Sequence, residues 1–152
     1  MEDEIQGYLT EFGIIRGQIR DALKGLNDAA VNWCPLPEST NSIYAILSHM
    51  IGTQSYWVCQ VIAGKQIQRD RETELHASGS LAEVLARWEK NSDEIGEILG
   101  RLSLAQLAET RIAYTRPEGV TVRWCILHLM SHNTTHLGHI HITRQLWEQR
   151  LS

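Results

Sequence analysis

Four stretches of this chain repeat apolar residues at steps of three and four, and none alternates them at steps of two between hairpin turns. A period near 3.6 makes one apolar stripe along a helix, whereas a half-buried strand needs a period of two. The first stretch, Glu2 to Leu26, puts Ile5, Leu9, Phe12, Ile15, Ile19, Ala22, Leu23 and Leu26 on one face. Asn27 to Thr40 carries Pro35 and Pro37 in a polar run and reads as a loop, because proline lacks the backbone donor and restricts the residue before it. Asn41 or Ser42 caps a second helix that reaches Ala63, with Gly64 as its stop. Gly64 to Gly79 is polar and charged and has no legible period. Ser80 caps a third helix through Leu99 with Leu81, Val84, Leu85, Trp88, Ile95 and Ile98 inward. Leu102 to Gly119 reads as a turn, a short helical piece at Ser103 to Ala108, and an irregular stretch ending at Pro117-Glu118-Gly119. A fourth helix runs from Thr121 to Trp147.

Four amphipathic helices in 152 residues bury their faces most simply as an all-α four-helix bundle, one domain over residues 1–152. The connections on either side of the third helix are long enough to cross the bundle, so a simple up-down-up-down order is not required. With 43% hydrophobic and 21% charged residues, the chain falls in the globular range. The net charge is -4 and the 14 Lys and Arg are scattered, which lacks the basic footprint that nucleic acid or an anionic membrane requires. The beginning, MEDEIQGYLTEF, has no signal-peptide pattern, and no apolar run approaches the ~18 residues of a span. Cys34, Cys59 and Cys125 fit neither a disulfide framework nor a metal knuckle. A soluble, cytoplasmic protein acting on a small molecule is the expectation.

Seven histidines concentrate the chemistry. On the fourth helix His128, His132, His136 and His139 follow at steps of four, four and three, an arc of only ~80° at about 100° per residue. Imidazoles one turn apart can share a cation, as in H-x3-H metal sites. Cys125 falls on the same arc about two turns, or ~10 Å, from His132, which suits a pocket wall better than a ligand. Two histidines leave a coordination shell largely open, and His49, flanked by Ile46, Leu47, Met50 and Ile51, is the best third ligand. Taken singly, His49 reads as a hydrogen-bonded core residue and the H-x3-H pair as coincidence. Taken together, inward faces on two helices point to a divalent metal bound by His49, His132 and His136, with an open position for water or substrate. His128 and His139 either line the pocket and transfer protons or hydrogen-bond within the bundle, while His76 and His141 read as solvated.

Trp33-Cys34-Pro35-Leu36-Pro37, Asn41 through Met50, and Val122-Arg123-Trp124 through His132-Asn133-Thr134-Thr135-His136-Leu137-Gly138-His139-Ile140 carry a resemblance over essentially the whole chain. The sequence resembles the DinB/YfiT-like superfamily of metal-dependent four-helix bundles, and within it the branch related to mycothiol-dependent maleylpyruvate isomerase. That branch has Glu where His132 stands, so the all-histidine set here weakens an isomerase assignment. The resemblance implies an up-down-down-up bundle, commonly a homodimer, and Zn²⁺ or Ni²⁺ on His49, His132 and His136. It also implies chemistry with a low-molecular-weight thiol as cofactor.

Around the metal, Thr53 and Trp57 extend the His49 face, and Asn133 and Arg123 are candidates to orient a substrate or support the ligands. H-N-T-T-H lacks the carboxylate of HExxH, which disfavours peptide hydrolysis. Arg69-Asp70-Arg71-Glu72 reads as a solvated loop or a lid. The leading expectation is therefore a metal-dependent enzyme, of thiol S-transferase or hydrolase type, acting on a small molecule. The competing expectations are a metal-stabilised dimeric stress or regulatory module without turnover, and a small-molecule-binding bundle without metal.

Overall fold

A computed structural model describes residues 3–150. Its long helices are α1 (Asp3–Leu23), α3 (Ile43–Gln54), α5 (Leu81–Gly100) and α7 (Val122–Gln149), and α3 runs on directly as a π-helical segment (Ser55–Ile62). The expected start of the first helix at Glu2 lies outside the described residues. Side-chain caps set the other starts: Ser42 and Ser80 accept, as expected, from the Ala45 and Glu83 N–H groups, and Thr121, at the expected start of the fourth helix, accepts from that of Trp124. Gly64 takes φ +71, the left-handed turn that favours glycine, and ends the second long helix.

Pairwise contacts fix how the helices run. Glu4 pairs with Arg123 near the start of α7, and Arg144 near its end caps the Ala22 and Lys24 carbonyls, so α1 and α7 are parallel. Arg16 and Arg20 reach Glu89, and Arg16 reaches Asp93, so α5 lies antiparallel to α1. Gln54 meets Asn91 and Lys65 meets Glu94, which sets α3 parallel to α5. The long helices thus run up, down, down, up in chain order.

The apolar stripes meet in two clusters. One is centred on Ile19, Leu47, Met50, Trp88 and Ile140, the other on Val58, Ile95, Leu99, Ile126 and Leu129. Between them lies a buried polar chain: Asn133 Nδ2 donates to Gln54 Oε1 (2.8 Å), Gln54 Nε2 to Asn91 Oδ1 (2.6 Å), and Asn91 Nδ2 to Ser55 Oγ (2.9 Å). It crosses the bundle where α3 gives way to the wider π-helical turns.

Three elements depart from the reading of four helices and nothing else. The polar run after Leu26 contains α2 (Asp28–Asn32), capped by Asn27. The unpatterned connection before Ser80 contains α4 (Arg71–Leu75), capped by Asp70. Residues 102–119 hold α6 (Leu104–Leu107) inside the expected helical piece, but the irregular stretch is an antiparallel hairpin of β1 (Thr110–Ala113) and β2 (Arg116–Thr121). The hairpin escapes a period-two search because Ala113 alone in it is buried while Ile112 faces outward. It is fastened to the bundle where the Tyr114 N–H donates to the Tyr56 hydroxyl (3.1 Å).

Candidate metal centre

His49 lies midway along α3, and His132 and His136 lie one turn apart on antiparallel α7. The packing of these two helices brings the rings into one group, with centroids 5.1 Å (His49–His132), 5.2 Å (His49–His136) and 4.4 Å (His132–His136) apart. One nitrogen from each ring lies within 4.8 Å of the others. His49 Nε2 and His132 Nε2 stand 3.2 Å apart. Two nitrogens on a tetrahedral zinc at 2.0–2.1 Å are separated by roughly 3.4 Å, so this spacing fits a shared divalent ion.

Protonation favours the same use. Burial, reinforced by the neighbouring imidazoles, pushes His132 down to about 3 and His136 down to about 4. Burial also lowers His49, against the opposing pull of Glu74. Neutral rings at physiological pH leave lone pairs free for a cation.

The His49 ring is oriented from behind. Glu74 Oε2 lies 3.1 Å from His49 Nδ1, and a carboxylate there accepts that nitrogen's proton, which leaves Nε2 as the lone-pair side facing His132. Glu74 is itself held by Arg69 through Nε to Oε1 (2.7 Å) and Nη2 to Oε2 (2.9 Å), and Arg69 Nη2 also donates to Thr53 Oγ1 (3.0 Å). Gly52 makes this possible, since a Cβ there would run into the Glu74 carboxylate. On the other side His139 Nδ1 lies 3.2 Å from His136 Nδ1.

Two clefts open beside the rings. An apolar one of about 620 Å³ is walled by Trp33, Leu36, Ile46, Ile142 and Leu146, with His136 and His139 on its polar side. A second, of about 260 Å³, reaches His49 and His132 between Thr53, Tyr56, Trp57, Tyr114, Trp124 and His128, with Arg69, Arg71 and Arg116 also lining it.

A family model described as mycothiol-S-transferase matches residues 6–149. The chain belongs to this family. Seven chains of solved structures also match. One is a crystal structure of a conserved protein from Enterococcus faecalis, 14% identical, which covers 93% of this chain and 95% of that one with a TM-score of 0.72. At that identity the likeness shows the fold, an all-α DinB-like one. No curated protein matches the chain significantly.

For this mycothiol-S-transferase family member, the expected site residues separate. His49, His132 and His136 come together; Thr53, Trp57 and His128 line the second cleft and His139 the first. His128 stacks on Trp124 at 4.7 Å, with the ring planes 7° apart. Neither Asn133 nor Arg123 lines either cleft, though the Asn133 side chain acts on the His132 ring, opposing the burial that lowers it. Asn133 is fully buried in the polar chain between the cores, and Arg123 is engaged with Glu4 through Nε to Oε1 (2.6 Å). Cys125, expected as pocket wall, is fully buried in the apolar core, and burial raises its thiol to about 11.

Sequence reasoning missed Glu74, which holds the His49 ring from a separate short helix, and the inward turn of Arg69. Of the supposed solvated run, Asp70, Arg71 and Glu72 are indeed exposed, whereas Arg69 is half-buried against His49. The available signal was Asp70 itself, a helix cap that places Glu74 one turn into a short helix. No helix among the described residues is long and apolar enough to cross a membrane.

Proposed function

We propose that the protein is a divalent-metal-dependent thiol S-transferase acting on a small electrophile, with Zn²⁺ or Ni²⁺ on His49, His132 and His136. The observation that supports this best is the cluster of three neutral imidazoles, the His49 ring oriented by Glu74, open to a cleft on either side, in a chain of the mycothiol-S-transferase family. When bound, such an ion lowers the pKa of a coordinated thiol or water and so supplies a nucleophile at neutral pH.

The chain's own residues do the rest. Glu74 keeps the His49 proton on Nδ1, and Arg69 fixes Glu74. His139, exposed on the apolar cleft, accepts the thiol proton as the sulfur bonds to the electrophile and the leaving group departs with its electron pair. His128, kept below its ordinary range by burial and the Arg116 charge, is a neutral base or donor for the second cleft. Thr53 and Trp57 contact what enters there. We also propose that the protein is a cytoplasmic homodimer, which sedimentation equilibrium tests directly.

The functional test is a screen of low-molecular-weight thiols, mycothiol first, against small electrophiles with zinc- or nickel-loaded protein. Thioether formation that disappears on chelation and in H132A supports the reading. Silence with every thiol, together with a sharp fall of the melting temperature on chelation, would instead identify a metal-stabilised module without turnover.

A further inference from the structure

The second cleft has an unusual balance of charge. Three arginines line it, Arg69, Arg71 and Arg116, and no aspartate or glutamate does. Arg69 is neutralised from behind by Glu74. Arg71 and Arg116 have no carboxylate partner among the described residues, although acidic residues outnumber basic ones, 18 to 14, in the chain. Both border the same concavity that ends at His49 and His132. Arg116 is held over the Trp124 ring at 5.4 Å from its centroid, a contact that steadies the guanidinium without cancelling its charge.

The walls between these charges are flat and aromatic. Tyr56 and Tyr114 meet edge to face at 4.9 Å, as do Trp57 and Trp124 at 5.5 Å. A guanidinium recognises a carboxylate through its planar fork, and ring faces and edges recognise a flat π system. A cleft of about 260 Å³ limits the occupant to a small molecule.

We propose that this cleft is a subsite for a small planar carboxylate, its anionic end held by Arg71 and Arg116 and its flat body against Trp57 and Trp124. The assignment deepens the transferase reading by giving one reactant its chemical class, and it rests on that reading for the reactant's role. The apolar cleft beyond His136 has no such charge, so the two reactants would approach the imidazoles from opposite sides.

Benzoate, with benzamide as the neutral isostere, is titrated into the full chain in both zinc-loaded and EDTA-treated forms. Binding is followed by calorimetry and by the indole N–H resonances of Trp57 and Trp124. Saturable benzoate binding in both forms, at least about tenfold tighter than benzamide, is expected, with a further loss of about tenfold in R71Q and in R116Q. The R71K/R116K double variant, which keeps the charge, should retain part of the affinity, and the R71Q/R116Q variant should lose binding at an unchanged melting temperature. Equal binding of benzamide, benzoate binding that survives R71Q/R116Q, binding that appears only with zinc and ignores the arginines, or no saturable binding would each overturn the proposal. Because no turnover is read, a silent thiol screen would contradict the transferase reading while leaving this result to stand or fall separately.

Discussion

At the scale of single residues, the site depends on which nitrogen of each imidazole carries a proton. Glu74 decides this for His49 from 3.1 Å, and an amide in its place no longer favours the proton on Nδ1. E74Q should therefore fold normally yet bind Zn²⁺ about 10–100-fold more weakly, measured by competition with a chromophoric chelator. The pH dependence follows from the same rings. His132 and His136 titrate at about 3 and about 4 in the folded chain, whereas an unfolded histidine titrates at about 6.5. Between those values the unfolded state binds more protons, so the stabilisation is complete above pH of about 6.5 and is lost as pH falls through about 4 toward about 3. Urea midpoints of the metal-free protein should drop through that window, and the drop should shrink in H132Q. The histidines themselves were legible because a helical arc of ~80° follows from spacing alone. Glu74 was not, because its approach to His49 depends on how a five-residue helix folds back over α3.

At the scale of elements, periodicity located what is long and missed what is short. α1, α3, α5 and α7 bury continuous stripes, and the caps named from sequence at Ser42 and Ser80 make the expected bonds. α2, α4 and the hairpin bury one or two side chains each, or none, so they leave no stripe to find. The π-helical segment after Gln54 is invisible for another reason: its residues are apolar on most sides, and neither an α nor a π period stands out. Yet these pieces and the loop before α4 deliver Tyr56, Arg69, Glu74, Tyr114 and Arg116 to the site, beside Trp57, which sequence spacing alone places on the His49 face. The contact between α3 and α4 gives the sharpest test at this scale. Gly52 lies under Glu74, and G52A should displace that carboxylate and lower metal affinity, approaching the loss in E74Q, while circular dichroism stays unchanged. Asn133, by contrast, belongs to the buried chain that joins α7 to Gln54. N133A should destabilise the fold by about 1–3 kcal/mol in urea unfolding, because it leaves the Gln54 carbonyl without its donor.

At the scale of the whole molecule, an up-down-down-up arrangement sets α3 antiparallel to α7, which brings three rings from distant parts of the chain into one group. An ion held there ties the two helices together and favours the folded state by mass action. At a free-metal concentration about a thousandfold above Kd this amounts to roughly 4 kcal/mol, so chelation should lower the melting temperature by about 10 °C. The central claim is the metal itself, and elemental analysis of the tag-free protein tests it most directly, with H132A measured beside it. The account predicts close to one Zn²⁺ or Ni²⁺ per chain in the native protein and a small fraction of that in a folded H132A variant. No stoichiometric metal in the native protein, or equal metal in both, would contradict it.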